Sequence, residues 1–165
     1  IRPHVNSVMT KGKISGQYVT GVIAKSEAIK MGFDEALMLD PEGFLTEGTG
    51  ENLFMIKDGV IKTTELTSIL NGITRNTVIQ MINKMGYKLV ETRFTRDELW
   101  CCDEAFLTGT AAEITPVSSV DGRKMGRGTN AGKPGPITLK IQQEYKKLIR
   151  GELAGEFPTE WLTKI

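Results

Sequence analysis

Apolar positions fall into short runs broken by glycines and charged corners, and their spacing switches between strand-like and helix-like. Val19, Val22, Ile23 and Ile29 recur near helical spacing. They predict a helix from about Tyr18 to Met31, ended by Gly32, with Lys25 and Lys30 off the stripe and in water. Residues 35–40 read as a strand and Pro41-Glu42-Gly43 as a turn. Phe54-Met55-Ile56, Asp58-Gly59 and Val60-Ile61-Lys62-Thr63 read as strand, tight turn and strand. Val78, Ile79, Ile82 and Met85 predict the inward face of a second helix, starting near Gly72 and ended by Gly86. Residues 87–94 form a partly alternating strand. Thr95-Arg96-Asp97-Glu98 has the form of a capping box opening a short helix that buries Leu99, Trp100 and Cys102. Further strands are predicted over 104–108 and around 117–120. Pro136 suits the first turn of a helix to about Arg150, with Ile137, Ile141, Tyr145, Leu148 and Ile149 on its buried side. Trp161 is placed to dock the tail on the domain or on a partner. Strands and helices mix without strict alternation, which favours α+β over a doubly wound sheet.

With 165 residues the chain suffices for one domain with a real core. The net charge of +1 gives no reason to expect a nucleic-acid partner. The basic loop from Arg123 to Gly135 has no interleaved aromatics and reads as a mobile, solvated loop. Cys101 and Cys102 are adjacent, so they suggest no disulfide framework; buried, inert thiols and a cytoplasmic setting are expected. No apolar run reaches the length of a membrane span, and the N-terminal residues do not have the form of a signal peptide. A chain that starts in this way is expected to be part of a longer protein. The single histidine, His4, makes no catalytic triad, and no metal-binding motif is present.

Candidate chemistry gathers at a few places. Residues 45–54 put Glu47, Glu51 and Asn52 with Gly48 and Gly50 in a polar corner between apolar runs. By composition alone these acids are expected to face water. Asn71-Gly72-Ile73-Thr74 opens a helix, where unpaired N–H groups and the helix dipole favour an anion. Gly109-Thr110-Ala111-Ala112 follows a strand, and its small side chains would let backbone amides approach a ligand. Lys11 and Lys13, near a loop–helix junction, could carry amine chemistry if one were desolvated.

Together these segments resemble the class IV pyridoxal-phosphate aminotransferases, most closely the branched-chain amino acid aminotransferases. Glu47, then Asn52-Leu53-Phe54, Ile61-Lys62-Thr63 and Leu70-Asn71-Gly72-Ile73-Thr74-Arg75 match the family pattern at acceptable spacing. Lys13-Ile14-Ser15-Gly16-Gln17-Tyr18 looks like the family's lysine loop, and residues 109–117 look like its third ligand loop. Gln17 stands where Asn is more frequent, and Asn71 where Pro is.

The resemblance, which spans essentially the whole chain, implies a fold and a set of roles. The fold would be α+β, with mixed sheets in a barrel-like arrangement flanked by helices. The chain would be the large C-terminal, cofactor-binding domain, without the family's small N-terminal domain. Lys13 would be the Schiff-base lysine and proton shuttle, in preference to Lys11. Glu47 rather than Glu51 would partner the pyridine nitrogen, and Tyr18 would bond the cofactor's phenolate oxygen. Ile73, Thr74 and Thr110 would hold the phosphate, and the amides of Ala111 and Ala112 the substrate carboxylate. The implied reaction moves the amino group of a branched-chain L-amino acid to 2-oxoglutarate, in amino-acid biosynthesis, within a cytoplasmic homo-oligomer of at least two subunits. A D-amino acid transaminase, an aminodeoxychorismate lyase, or a noncatalytic cofactor-binding or dimerisation module are the alternatives.

Overall fold

The computed structural model describes residues 1–153, 155–158 and 161. Its centre is the strand β1 (Asn52–Lys57), flanked by β2 (Val60–Thr63) and β4 (Glu104–Gly109), both antiparallel to it. β3 (Leu89–Glu91) lies parallel to β2 on one edge, and β5 (Glu113–Pro116) antiparallel to β4 on the other. The order is β3-β2-β1-β4-β5. A parallel pair needs a crossover, and the helix α2 (Ile73–Lys84) lies within the β2-to-β3 connection. The class is α+β, as expected. These five strands form an open mixed sheet whose edges do not meet.

β1 is buried on both faces, which explains why Leu53-Phe54-Met55-Ile56 is a continuous apolar run rather than an alternating one. One face carries Phe54, Ile56, Ile61 and Phe106 against α2 and α4 (Pro136–Ile149). Phe54 and Phe106 stack there with ring centroids 4.8 Å apart. The other face carries Leu53, Met55, Ala105 and Leu107 against Leu45, Phe94 and Leu99. No described helix is long and apolar enough to cross a membrane.

The hairpin at Asp58-Gly59 forms with both residues at positive φ. Val78 and Ile82 face inward as predicted, joined by Met81. Leu99 and Cys102 are buried, and Trp161 packs with Phe157 against the α2/α4 side of the core.

Other expectations change. The helix α1 (Val19–Lys30) is present, but Val19, Val22, Ile23 and Ile29 are each more than half exposed, while Gly21 and Ala28 are buried. The helix packs through its small residues and turns its aliphatic stripe outward. Residues 35–40 form no strand beyond a single bridge between Leu39 and Leu45. The capping box does not close: Thr95 bonds Asp97 and caps no backbone N–H of α3 (Arg96–Trp100). The strand predicted around 117–120 is displaced to β5, whose edge position tolerates Pro116; only Ser119–Val120 remain extended, pairing with Arg123–Lys124. That pairing and the buried Met125 give order to a loop expected to be mobile. Cys101 is exposed; Cys102 alone is the buried thiol, pushed up to about 12 chiefly by burial. Ile149 is also exposed.

The start of α4 is held by a buried carboxylate from the sheet. Glu104 accepts the Ile137 N–H at 3.1 Å and the Thr138 N–H at 2.7 Å. Both are first-turn donors with no partner inside the helix. Glu104→Ala is expected to lower unfolding free energy by about 2–3 kcal/mol, read as a shift of the urea midpoint. An unchanged midpoint would show that α4 does not depend on this carboxylate.

Candidate active site

Three segments predicted to carry chemistry meet at the Glu47 corner. Residues 44–47 lead into β1 beside Met38: the Met38 N–H donates to the Glu47 carbonyl at 2.8 Å, and the Thr46 N–H to the Met38 carbonyl at 2.9 Å. Glu47 is thereby drawn inward and is 6% exposed, against the composition-based expectation of a solvated acid. Its carboxylate accepts the Asn52 amide at 2.9 Å and the Leu70 N–H at 3.1 Å, and it pairs with the Arg2 guanidinium. Asn52 also donates to the Leu70 carbonyl at 2.9 Å. Glu47 and Asn52 therefore grip the segment that becomes α2 three residues later.

Burial is the largest influence on the Glu47 carboxyl and favours its neutral form. Arg2 and the Leu70 N–H oppose it, and Glu51 adds to it. Burial prevails, and the group is pushed up to about 7. Glu51 is half-buried and is also pushed upward, by burial and then by the neighbouring Glu35. Glu35 in turn binds Lys25 at 2.7 Å and the Thr49 hydroxyl at 2.6 Å, fastening α1 to the corner.

Gly72 at the N-cap of α2 has no side chain, and among the described residues none accepts the Ile73 or Thr74 N–H, so these amides are free to meet a ligand. Ile73 is 81% exposed, whereas Thr74 is buried. Arg75, fully buried, anchors this turn by donating to the Thr64 carbonyl at 2.8 Å and to Glu91 at 2.6 Å. Thr108 faces Asn52 across the β1/β4 register, and its buried hydroxyl has no partner. Cross-strand partners share a face, so this hydroxyl lies on the same side as the start of α2.

Gly72 is constrained by contact. A Cβ there would lie against the Asn52 carboxamide oxygen, well inside contact distance, and that carboxamide is held by Glu47 and Leu70. Gly72→Ala is expected to cost about 1–3 kcal/mol, seen as a lower thermal midpoint, and to swing Asn52 away from Glu47. An unshifted midpoint would mean that Asn52 yields freely.

Tyr18 and Glu47 line one cleft, together with Arg2, Gln17, Thr49 and Asn52. Its enclosed volume is only about 30 Å³, so it is a floor rather than a closed chamber. A larger cavity, about 270 Å³, lies on the other side of Arg2 between Asp40, Thr64 and Arg93, and none of the predicted site residues lines it. The turn at Thr110–Ala112 joins β4 to β5; Thr110 and Ala111 are exposed and Ala112 is half-buried. It adjoins the corner, because a Cβ at Gly109 would sit 3.5 Å from the Gly50 carbonyl. Lys13 is exposed and does not line the cleft. Sequence reasoning passed over Arg2, which pairs with an acid 45 positions away and carries no local signal. It also gave no role to the buried Gln17.

Comparison with known proteins follows this geometry. The family model for amino-transferase class IV matches residues 2–120. A branched-chain-amino-acid aminotransferase of Pseudomonas aeruginosa is 54% identical over 164 residues, covering 99% of this chain and 52% of the relative. The enzyme of that name from Escherichia coli K12 is 41% identical over 161 residues, covering 97% of this chain and 50% of the relative. The chain thus spans about half the length of the curated relatives it matches. Among solved structures, the T.th. branched-chain amino acid aminotransferase complexed with N-(5'-phosphopyridoxyl)-L-glutamate superposes with a TM-score of 0.92 at 44% identity, covering 98% of this chain and 52% of that one. The Thermoproteus uzoniensis branched-chain aminotransferase with norvaline gives a TM-score of 0.90 at 42% identity, covering 98% and 52%.

Proposed function

The chain belongs to the class IV aminotransferases, and from that premise we propose that it is the larger, cofactor-binding domain of a branched-chain amino acid aminotransferase. Its cofactor is pyridoxal 5'-phosphate, and its acceptor 2-oxoglutarate. The observation that carries the reading is the buried Glu47 carboxylate bonded to the segment that opens the uncapped α2 helix. A buried acid beside a helix N-terminus supports a site in which the acid would partner a protonated ring nitrogen and the helix start a phosphate. The donor set suits the group: the unpaired Thr108 hydroxyl lies on the side of the sheet from which α2 starts. The T.th. relative was solved with a phosphopyridoxyl amino acid and with pyridoxamine 5'-phosphate.

Pyridoxal phosphate, when bound, supplies an aldehyde for amines and a ring that takes up electrons released at the substrate Cα. The chain's residues supply the rest. Ile73, Thr74 and Thr110 would hold the phosphate, and Glu47 would keep a proton on the ring nitrogen. Tyr18 would donate to the phenolate oxygen, and the Ala111 and Ala112 amides would orient the substrate carboxylate. Lys13 would supply the amine that holds the cofactor and would move the proton at the substrate Cα. A second domain and a second copy of the chain complete the pocket walls in a cytoplasmic homo-oligomer.

Turnover by the full-length protein tests this reading. L-Leucine with 2-oxoglutarate is expected to yield 4-methyl-2-oxopentanoate and L-glutamate, with D-alanine and aminodeoxychorismate converted at least about 100-fold more slowly, as a pocket built around substrate contacts permits. Preferential turnover of either competitor would assign the chain to another member of the family. Cofactor binding with no turnover of any would make it a noncatalytic module.

A further inference from the structure

Two of the hydrogen bonds that hold the backbone around Lys13 converge on one carbonyl group. The Gly12 C=O accepts the Ile14 N–H at 2.8 Å, making a three-residue turn centred on Lys13. The same oxygen accepts the side-chain amide of Gln17 at 2.7 Å. A three-residue turn has none of the repeated bonds of a helix, so its direction depends on what ties it to the packed body. Lys11 and residues 13–16 are exposed. Gln17, in contrast, is 8% exposed, and it lines the cleft with Tyr18 and Glu47. Its carboxamide oxygen is buried without a partner. Burial of a glutamine with one acceptor unsatisfied runs against the usual pattern, and its amide N–H is committed to the turn rather than to the core.

We propose that Gln17 is a positioning residue for Lys13: its amide ties the lysine turn to the cleft wall, so that Lys13, and not Lys11, is the lysine held at a fixed place beside the cleft. The inference rests on the reading of the cleft as a pyridoxal phosphate site. Glutamine suits the role by its reach, since it must span from the 3₁₀ turn at Ser15–Tyr18 back to Gly12.

Labelling selectivity tests it without reference to turnover. The full-length protein, freed of cofactor, is incubated with pyridoxal phosphate, reduced with borohydride, digested and mapped by mass spectrometry. The lysine nitrogen bonds to the aldehyde carbon as water leaves, and borohydride delivers the hydride that makes the attachment permanent. Wild-type protein is expected to carry the label on Lys13 in preference to Lys11. Gln17→Met keeps the length but has no donor, and Gln17→Glu keeps the shape without the N–H. Each is expected to lower the Lys13-to-Lys11 ratio about fivefold, the size of effect one hydrogen bond gives. Two variants guard against one that fails to fold, and circular dichroism identifies it. An unchanged ratio in a folded variant would overturn the role of Gln17 and leave the cofactor reading standing. Wild-type protein with no label on Lys13 would overturn the cofactor reading, and this inference with it.

Discussion

Replacing Lys13 by alanine is expected to slow amino transfer from L-leucine by about 10⁴-fold or more, measured as a single turnover of the full-length, cofactor-loaded protein. The magnitude follows from two losses in one substitution. General acid–base transfer by a placed side chain contributes roughly 10²–10⁴-fold, and the covalent route through the lysine amine disappears as well. Lys11, two positions away, is not expected to take over. It lies outside the turn that Gly12, Ile14 and Gln17 close around Lys13. Lys11→Ala should accordingly leave the rate within about threefold of wild type, as expected for a surface substitution. Residual transfer in Lys13→Ala near the wild-type rate would mean that another amine does the work. A loss shared equally by Lys11→Ala would mean that the loop matters through its charge.

Much of the architecture was legible because it is written in local pattern. The Asp58-Gly59 hairpin, the α2 stripe and the Pro136 helix start each depend on residues near one another in sequence, and each forms as predicted. What failed depends on distant packing. The aliphatic stripe of α1 has the spacing of a buried face, yet the helix packs through Gly21 and Ala28; periodicity marks an apolar face without saying what covers it. The Thr95 capping box has the right letters, but its hydroxyl finds the Asp97 side chain first. At the candidate site, spacing could place two acids in one corner but could not choose between them. The choice of Glu47 came from the family pattern. In the structure Glu47 is 6% exposed and bonded to Asn52 and Leu70, while Glu51 is half-buried beside Glu35. The Leu70 contact spans 23 positions, and no local pattern could have disclosed it.

Glu47→Gln is expected to reduce the half-reaction rate about 10²–10³-fold, the usual effect of removing one preorganised electrostatic partner, and to change the pH dependence of stability in the opposite sense. The amide retains an oxygen for the Leu70 N–H but has no charge to hold a proton on the ring nitrogen. For stability, the sign follows from burial. The carboxyl is pushed up to about 7 in the folded chain and titrates near 4.3 when unfolded. Between those values the folded state binds the extra proton, so stability is highest below about pH 4.5 and falls as pH rises to about 7. The loss by pH 8 is about 3 kcal/mol for this group. Glutamine does not titrate, so the difference in unfolding free energy between variant and wild type should move by about that amount in favour of the variant from pH 4.5 to pH 8. The attraction of Arg2 for the ionised carboxylate opposes the upward shift and is already contained in it, so it adds no separate offset. Urea titrations of the cofactor-free protein at the two pH values read the difference directly. A variant whose stability tracks wild type at both would show that Glu47 is ionised without cost. Glu51→Ala supplies the contrast: its rate should stay within about tenfold of wild type, since the Leu70 N–H bonds Glu47 and not Glu51, and Glu51 acts on Glu47 by repulsion. Equal losses from the two substitutions would remove the reason for singling out Glu47.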